Sequence, residues 1–260
     1  MRWNRILRKI YKKTILTSIE GDDGCLYVID YKTRTPYFSI RCIEDNAGGW
    51  YSAIYLCNKR KQQPFLRLVQ QIISTWSTII SPNSFLVLGC AGCSIPRFLA
   101  HCFPHSIIIG IEKSKKLIDI ANQFFFVNKY DNFKLLNHDA FSWVEECAVN
   151  KKHSFQCVFI DLFNGDSVAD GVLKKDFLGN IYRILEDDSI AIFNVHTSMH
   201  YMALVDYSDP FQYRCAVSNK NRNVIVLVKT YDADIIRTLR KSLSQWEIKY
   251  EKLCLASSKE

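Results

Sequence analysis

Small residues and a carboxylate follow two apolar runs in the middle of the chain. The first run, FLVLGCAGC from Phe85, ends in a turn that contains Gly89, Ala91 and Gly92. The second run, SIIIGIE, ends on Glu112. A strand, a small-residue turn, a helix and a strand that ends on a carboxylate form the order of a nucleotide-binding half, in which the carboxylate holds a ribose diol. The other interpretation of Glu112 is a solvated carboxylate that caps the next helix.

Three further carboxylates follow later strand-like runs. Asp139 precedes Ala140 after FKLLN, and Asp161 and Asp166 lie in FIDLFNGD. Asp139 either accepts a hydrogen bond from an adenine amino group or caps the following helix, and the two roles are compatible. Asp161 and Asp166 on one loop suit a cation, either a sulfonium or an amine that loses a proton before it attacks carbon. An Asx turn at NGD is the alternative for Asp166.

The pattern from residue 84 onwards predicts the elements that position these residues. Strands are predicted at 84–89, 106–112, 132–137, 155–161 and 188–195, with helices near 94–103, 114–126, 140–149 and 173–185. Strands that alternate with helices imply right-handed crossovers and a doubly wound, mostly parallel sheet. Two later runs, QYRCAV and VIVLVKT, predict a C-terminal antiparallel hairpin that brings the sheet to seven strands, and a helix at 231–246 follows.

The chain before this alternating region has a different pattern. The runs CLYVIDYK, PYFSIRCI and WYSAIYL predict a small antiparallel sheet, which a helix at 62–79 follows. The predicted organisation is therefore a basic N-terminal segment (1–23), a small β subdomain (24–60) and a Rossmann-like α/β domain (61–260).

The formal net charge of +8 is concentrated at the N-terminus. Residues 1–13 carry no acid and six bases, which are Arg2, Arg5, Arg8, Lys9, Lys12 and Lys13. Trp3, Ile6, Leu7 and Ile10 have helical spacing, so the segment is a candidate for a basic amphipathic helix. A solvated tail is the favoured interpretation; a contact with acidic lipid or nucleic acid and a targeting segment are the alternatives. Nucleic acid is not expected as the substrate, because the rest of the chain is nearly balanced in charge.

Composition argues against several classes of protein. No apolar run approaches the roughly 20 residues that span a bilayer. Ten cysteines without an apolar signal segment predict reduced thiols and a cytoplasmic location. The spacing of Cys90 and Cys93 matches a redox or zinc pair, but the favoured interpretation is two small core residues. No metal is expected, because His101 and His105 bracket Pro104 at a predicted helix end and His196 and His200 have no nearby carboxylate.

Taken together, the motifs resemble the catalytic domain of the spermidine synthase-like branch of class I S-adenosylmethionine-dependent transferases. VLGCAGCSIPRFL resembles VLGLGGGSLPRFL of that branch, YSAIYL resembles its QSAMxL strand, and FIDLFNGDSVADGVLKKDFL resembles its DxFxGDxVPxxLLTxEFL run. The resemblance implies a pocket for S-adenosylmethionine or its decarboxylated form. It assigns to this pocket Gly89, Ala91, Gly92, Glu112, Asp139, Ala140 and Asp161. It also implies catalytic roles for Asp161 and Asp166.

The chain departs from the aminopropyltransferases of that branch at several positions. Those enzymes carry an Asp in the glycine turn (GGGDGG), a Gln before the serine of the QS strand and a D-S-S/T-D loop. Here Cys93 stands in the turn, Tyr51 replaces the Gln, and the loop reads DLFNGD. These departures favour methyl transfer, with aminopropyl transfer in polyamine biosynthesis and a non-catalytic binding module as alternatives. The acceptor, a small molecule or a protein, stays open, as does the oligomeric state, with a homodimer among the alternatives.

Overall fold

The structure is a computed structural model. It describes residues 10–21, 24–33, 39–57, 66–151, 153–165, 167–195, 210–219 and 222–253. Among these residues, no helix is both long and apolar enough to cross a membrane.

A four-stranded antiparallel sheet forms the N-terminal part of the structure, in the order β1-β2-β3-β4. Its strands are β1 (Ile10–Gly21), β2 (Gly24–Thr33), β3 (Ile40–Asp45) and β4 (Trp50–Tyr55). The predicted small N-terminal sheet is therefore confirmed, and it contains one strand more than predicted.

Alternating strands and helices follow, as predicted. The elements are α1 (Arg67–Ile79), β5 (Ser84–Leu88), α2 (Ser94–Cys102), β6 (Ile107–Glu112), α3 (Lys115–Phe124), β7 (Phe133–Asn137), α4 (Ala140–Asn150), β8 (Phe155–Ile160), the short pair β9 (Phe163–Asn164) and β10 (Ser167–Val168), α5 (Lys175–Ile184), β11 (Leu185–Val195), β12 (Tyr213–Asn219), β13 (Arg222–Lys229), α6 (Ala233–Leu243) and β14 (Glu247–Leu253). Single 3-10 turns lie at Val127–Lys129 and Asp170–Leu173.

The main sheet has the order β14-β12-β13-β11-β8-β5-β6-β7. The five strands from β11 to β7 are parallel, whereas β13, β12 and β14 run antiparallel to their neighbours. The doubly wound, mostly parallel sheet with its C-terminal hairpin is thus confirmed. The strand β14, which the sequence analysis did not predict, adds an eighth strand at the edge beside β12.

Helices cover both faces of this sheet, which explains the continuous apolar strands. On β5, Phe85 and Val87 pack with α1, α2 and α6 in one buried cluster. Leu86 and Leu88 pack with α4 and α5 in a second cluster on the opposite face. Because successive side chains of a strand point to opposite faces, a strand buried on both sides must be apolar at every position.

The prediction of an amphipathic helix in the basic N-terminal segment is wrong for residues 10–13, the part of residues 1–13 that the structure describes. Residues 10–13 lie in β1, which pairs along its length with β2. The run TILTSI from Thr14 is β-branched and half polar, and its backbone groups gain a ladder of hydrogen bonds from β2. Residues 1–9, with Trp3, Ile6 and Leu7, lie outside the described residues.

Arg41 joins the N-terminal sheet to the larger domain. Its guanidinium donates to both carboxylate oxygens of Asp30, at 2.7 and 2.9 Å, and to the carbonyl oxygen of Phe124 at the end of α3, at 2.7 Å. Around this contact, Leu26, Ile43 and Ile54 of the sheet share a buried cluster with α3. The sheet is therefore held against α3 by the hydrogen bond from Arg41 to Phe124 as well as by apolar packing, and the Asp30 carboxylate orients the guanidinium from within the sheet.

The variant Arg41→Ala should lower the free energy of unfolding by about 3 kcal/mol, because it leaves the Asp30 carboxylate without its partner in a poorly hydrated position. A matched control is Arg237→Ala, since Arg237 also forms an ion pair, with Asp234, but both side chains are 78% exposed. That control should change stability by less than about 1 kcal/mol. Urea unfolding followed by circular dichroism measures both, and equal effects would contradict the role of Arg41.

Candidate functional site

A cavity of about 970 Å³ lies between the carboxyl ends of the parallel strands and the N-terminal sheet. Of the predicted site residues, those that line it are Gly89, Ala91, Glu112, Asp139, Ala140 and Asp161. Gly92 is not a lining residue: it is buried, and a Cβ atom there would come within 2.8 Å of both the Phe125 ring and Ser52 Oγ. Asp166 lies outside the described residues. The structure thus brings six of the predicted residues to one cavity.

The turn after β5 follows a path that favours glycine at several positions. Gly89 has a φ of 81°, and a Cβ atom there would lie 2.3 Å from the backbone oxygen of Asp161. Ala91 and Cys93 also have positive φ, 41° and 56°, although neither is glycine. Each such residue costs on the order of 1 kcal/mol in backbone strain. The turn therefore keeps the backbone path of a glycine-rich loop despite its altered sequence.

Glu112 holds this turn in place from the end of the neighbouring strand. Its buried carboxylate accepts the backbone N–H groups of Cys90 at 3.1 Å and Ala91 at 2.9 Å through Oε2. Oε1 accepts the N–H of Ser114, the N-cap of α3, at 3.0 Å. A carboxylate has about four acceptor positions, so one remains on Oε1. Glu112 therefore supports the helix start, as one interpretation held, but it does so from a buried position and not as a solvated carboxylate, and it keeps capacity for a further donor.

Asp139 caps α4, which confirms the capping interpretation. Its Oδ1 accepts the backbone N–H of Ser142 at 2.9 Å and the Ser142 hydroxyl at 3.2 Å. Ala140, the first residue of the helix, is buried beside it. Asp139 itself is exposed to the cavity, and its role towards adenine stays a prediction.

Asp161 follows β8 and is oriented by Asn194, a residue near the end of the neighbouring strand. Its Oδ1 accepts the side-chain N–H of Asn194 at 2.7 Å. Asn194 lies near the end of β11, is 6% exposed and lines the same cavity. Because β8 and β11 are adjacent parallel strands, the rule that ligands collect at strand ends also points to Asn194.

The N-terminal sheet supplies the opposite wall of the cavity, through Tyr31, Glu44 and Trp50. The buried Glu44 carboxylate accepts the Tyr31 hydroxyl at 2.6 Å and Trp50 Nε1–H at 2.9 Å, both on Oε2. Burial, with the Glu44 carboxylate as a second cause, raises the pKa of Tyr31 to about 12. Tyr31 therefore stays a neutral hydrogen-bond donor at physiological pH. Sequence analysis missed this group because three different strands bring its members together.

The lining of the cavity is strongly acidic. Among the described lining residues the single basic side chain is Lys113, whereas the carboxylates are Glu44, Asp45, Glu112, Asp139, Asp161 and Asp170. Carboxylates around a concave surface focus a negative potential into it. The cavity therefore favours a positively charged ligand.

Cys90 and Cys93 lie in the turn after β5 and belong to a buried apolar cluster, and Cys90 also borders the cavity. Both are buried, and burial, with Cys93 as the next cause, raises the pKa of the Cys90 thiol well above its usual value. A protonated, buried thiol is a poor nucleophile and a poor metal ligand. No group of three or more metal-ligating side chains occurs in the described part of the chain. The burial of the two thiols supports the interpretation of both cysteines as small core residues.

The sheet order and the cavity at its carboxyl edge define a methyltransferase-like α/β fold. No family model matches the sequence. A polyamine aminopropyltransferase of Vibrio vulnificus is 22% identical over 117 residues, which are 45% of this chain and 39% of that protein. The eEF1A lysine and N-terminal methyltransferase of Mus musculus is 24% identical over 121 residues, which are 44% of this chain and 17% of that protein. These matches thus span well under half of either relative.

Solved structures extend the similarity to nearly the whole fold. A probable spermidine synthase from Corynebacterium glutamicum has a TM-score of 0.69 at 15% identity, with 93% of this chain and 91% of that chain covered. Human Methyltransferase-like protein 13 in complex with SAH has a TM-score of 0.56 at 16% identity, with coverage of 68% and 87%. At such identities the structures establish the fold. Together with the curated relatives, they confirm the resemblance to the spermidine synthase-like branch.

Replacing Glu112 by Ala should destabilise the protein by about 2 kcal/mol, because the N–H groups of Cys90 and Ala91 lose their acceptor. Glu112→Gln should cost less, since the amide oxygen can still accept these two bonds. Glu145→Ala, an exposed substitution on α4, is the control and should stay within about 0.5 kcal/mol of the parent chain. Urea denaturation measures all three; full stability of Glu112→Ala would show that the carboxylate does not hold the turn.

Proposed function

We propose that this chain is a transferase that binds S-adenosylmethionine, or a related adenosyl sulfonium, in the acidic cavity and transfers a methyl group to an acceptor. The observation that carries the proposal is the placement of Glu112. A partly satisfied carboxylate at the end of β6 faces the cavity directly beside the small-residue turn after β5, in a fold shared with such transferases.

The lining residues suit the parts of such a ligand. The remaining acceptor position of Glu112 is available to a ribose hydroxyl, and Asp139 and Ala140 lie at the next strand end, towards adenine. The turn at Gly89, Ala91 and Gly92 would lie near the methionine-derived part. The surrounding carboxylates complement the positive charge of a sulfonium. A cavity of about 970 Å³ also leaves space for an acceptor beside a nucleoside.

Transfer from a sulfonium is an in-line displacement at the carbon that the sulfur activates. The acceptor forms a bond to this carbon while the carbon–sulfur bond breaks, and the electron pair leaves with the thioether. The protein's main contribution is then alignment of the two reactants. Asp161, which accepts a hydrogen bond from Asn194, is the proposed acceptor of a proton from the attacking group, and Asp166 of the same loop is its proposed companion.

Aminopropyl transfer from the decarboxylated sulfonium is the second candidate. The acidic cavity favours it, because an amine acceptor and the sulfonium are both cations, and an aminopropyltransferase is among the curated relatives. The altered turn and the DLFNGD loop favour methyl transfer instead. The two reactions use the same displacement geometry and differ in which carbon on sulfur is attacked.

Isothermal titration calorimetry with S-adenosylmethionine, its decarboxylated form and methylthioadenosine tests the proposal. We expect saturable binding with a dissociation constant below about 1 mM, and tighter binding of S-adenosylmethionine than of the decarboxylated form. Absence of binding by all three ligands up to millimolar concentration would exclude the transferase and leave a binding module on this fold. A preference for the decarboxylated form, with turnover of putrescine, would instead establish aminopropyl transfer.

A further inference from the structure

Cys90 and Cys93 stand at the first and last positions of a closed turn after β5. The backbone N–H of Cys93 donates to the carbonyl oxygen of Cys90 at 2.6 Å. A hydrogen bond between these positions closes a turn whose end Cα atoms lie less than about 7 Å apart, and disulfides join Cα atoms that are about 4.4 to 6.8 Å apart. The backbone therefore holds the two cysteines at a separation that a disulfide can bridge.

The side chains of the two cysteines are also neighbours. The Cys93 thiol lies close enough to form a hydrogen bond with the Cys90 thiol, and this contact contributes to the raised pKa of Cys90. Cys90 Sγ lies 3.5 Å from the carbonyl oxygen of Val87, and Cys93 Sγ lies 3.8 Å from that of Ala91. Because a thiol is a weak donor, these contacts cost little to lose. In the reduced protein both thiols thus pack as small core side chains, and nothing strong opposes a bond between them.

Cys90 gives the pair a route to small molecules. It lines the cavity and is 6% exposed, whereas Cys93 is fully buried. Because burial raises the pKa of the Cys90 thiol, reaction with an oxidant is slow in the resting protein. A small disulfide that enters the cavity meets Cys90 first, and Cys93 is then the neighbouring thiol that completes the reaction.

Oxidation would act on the part of the turn that Glu112 holds. The two backbone N–H groups that Glu112 accepts belong to Cys90 and Ala91, within residues 90–93. Bringing the two sulfur atoms from contact to the roughly 2 Å of a covalent bond requires this short segment to move. The backbone path beside the cavity therefore differs between the reduced and the oxidised protein.

We propose that Cys90 and Cys93 form a reversible disulfide, and that this bond weakens the hold of Glu112 on the turn. Cys90 attacks one sulfur atom of a low-molecular-weight disulfide and releases the first small thiol; Cys93 then attacks the Cys90 sulfur and releases the second. The two protein thiols lose two electrons and two protons, and the small disulfide is reduced to two thiols. Lower nucleoside affinity of the oxidised protein is the consequence for the cavity, and this part rests on the proposed function.

The test is incubation of the full chain with oxidised glutathione, followed by alkylation, trypsin digestion and mass spectrometry. Trypsin releases residues 68–97 as one peptide, in which Cys90 and Cys93 are the two cysteines. We expect this peptide to lose about 2 Da, to resist alkylation, and to recover both properties after treatment with dithiothreitol. Cys102→Ser is the matched control, because Cys102 is an exposed cysteine on the adjoining helix, and it should leave this result unchanged.

Amide hydrogen exchange and ligand titration measure the effect on the turn. The N–H groups of Cys90 and Ala91 should exchange at least about tenfold faster in the oxidised protein, the effect of losing a hydrogen bond to a charged group. S-adenosylhomocysteine should bind about tenfold more weakly to the oxidised than to the reduced protein. Cys93→Ala, which cannot form the bond, should bind it equally well with and without the oxidant.

Three results would overturn the proposal. These are a peptide 68–97 that keeps two free thiols, a disulfide that leaves the exchange of both N–H groups unchanged, and loss of the mass change in Cys102→Ser. Thermal melting shows whether Cys93→Ala folds, and Cys90→Ala replaces it if it does not. Absence of nucleoside binding by the reduced parent chain would contradict the proposed function alone, because the peptide mass and the amide exchange are measured without a nucleoside.

Discussion

The carboxylate of Glu112 is the interaction on which the rest of the site depends. It crosses from the end of β6 to the turn after β5 and accepts two consecutive backbone N–H groups there, at Cys90 and Ala91. The turn contains two residues other than glycine in left-handed conformations, so its path is unfavourable without such support. One carboxylate thereby fixes the shape of the turn and the start of α3, and it still faces the cavity.

The N-terminal sheet converts an open strand edge into an enclosed cavity. The hydrogen bond from Arg41 to the carbonyl oxygen of Phe124 and the apolar contacts with α3 hold this sheet over the carboxyl ends of the parallel strands. The two walls then have different compositions. The wall from the main sheet carries Glu112 and Asp161, the residues proposed to bind the nucleoside and the reacting group, whereas the wall from the N-terminal sheet carries a carboxylate among aromatic rings.

Sequence patterns predicted the parts of the structure that are repeated and local. Strands buried on both faces are apolar at nearly every position, so β6 and β8 were recognisable, and their ends located Glu112 and Asp161. The pattern predicted neither β14 nor β1, the strand that contains residues 10–13. Both are edge strands, and an edge strand with few apolar residues depends on its partner for its conformation. The environment of Glu44 was also inaccessible, since its partners lie on three other strands and meet only when the sheet forms.

A crystal structure of the chain with S-adenosylhomocysteine tests the central claim most directly. We expect the nucleoside in the cavity at the carboxyl ends of β5 and β6, with a ribose hydroxyl about 3 Å from Glu112 Oε1 and the backbone of the turn little changed. A nucleoside bound elsewhere, or one whose ribose points away from Glu112 while this carboxylate contacts only the turn and Ser114, would contradict the account.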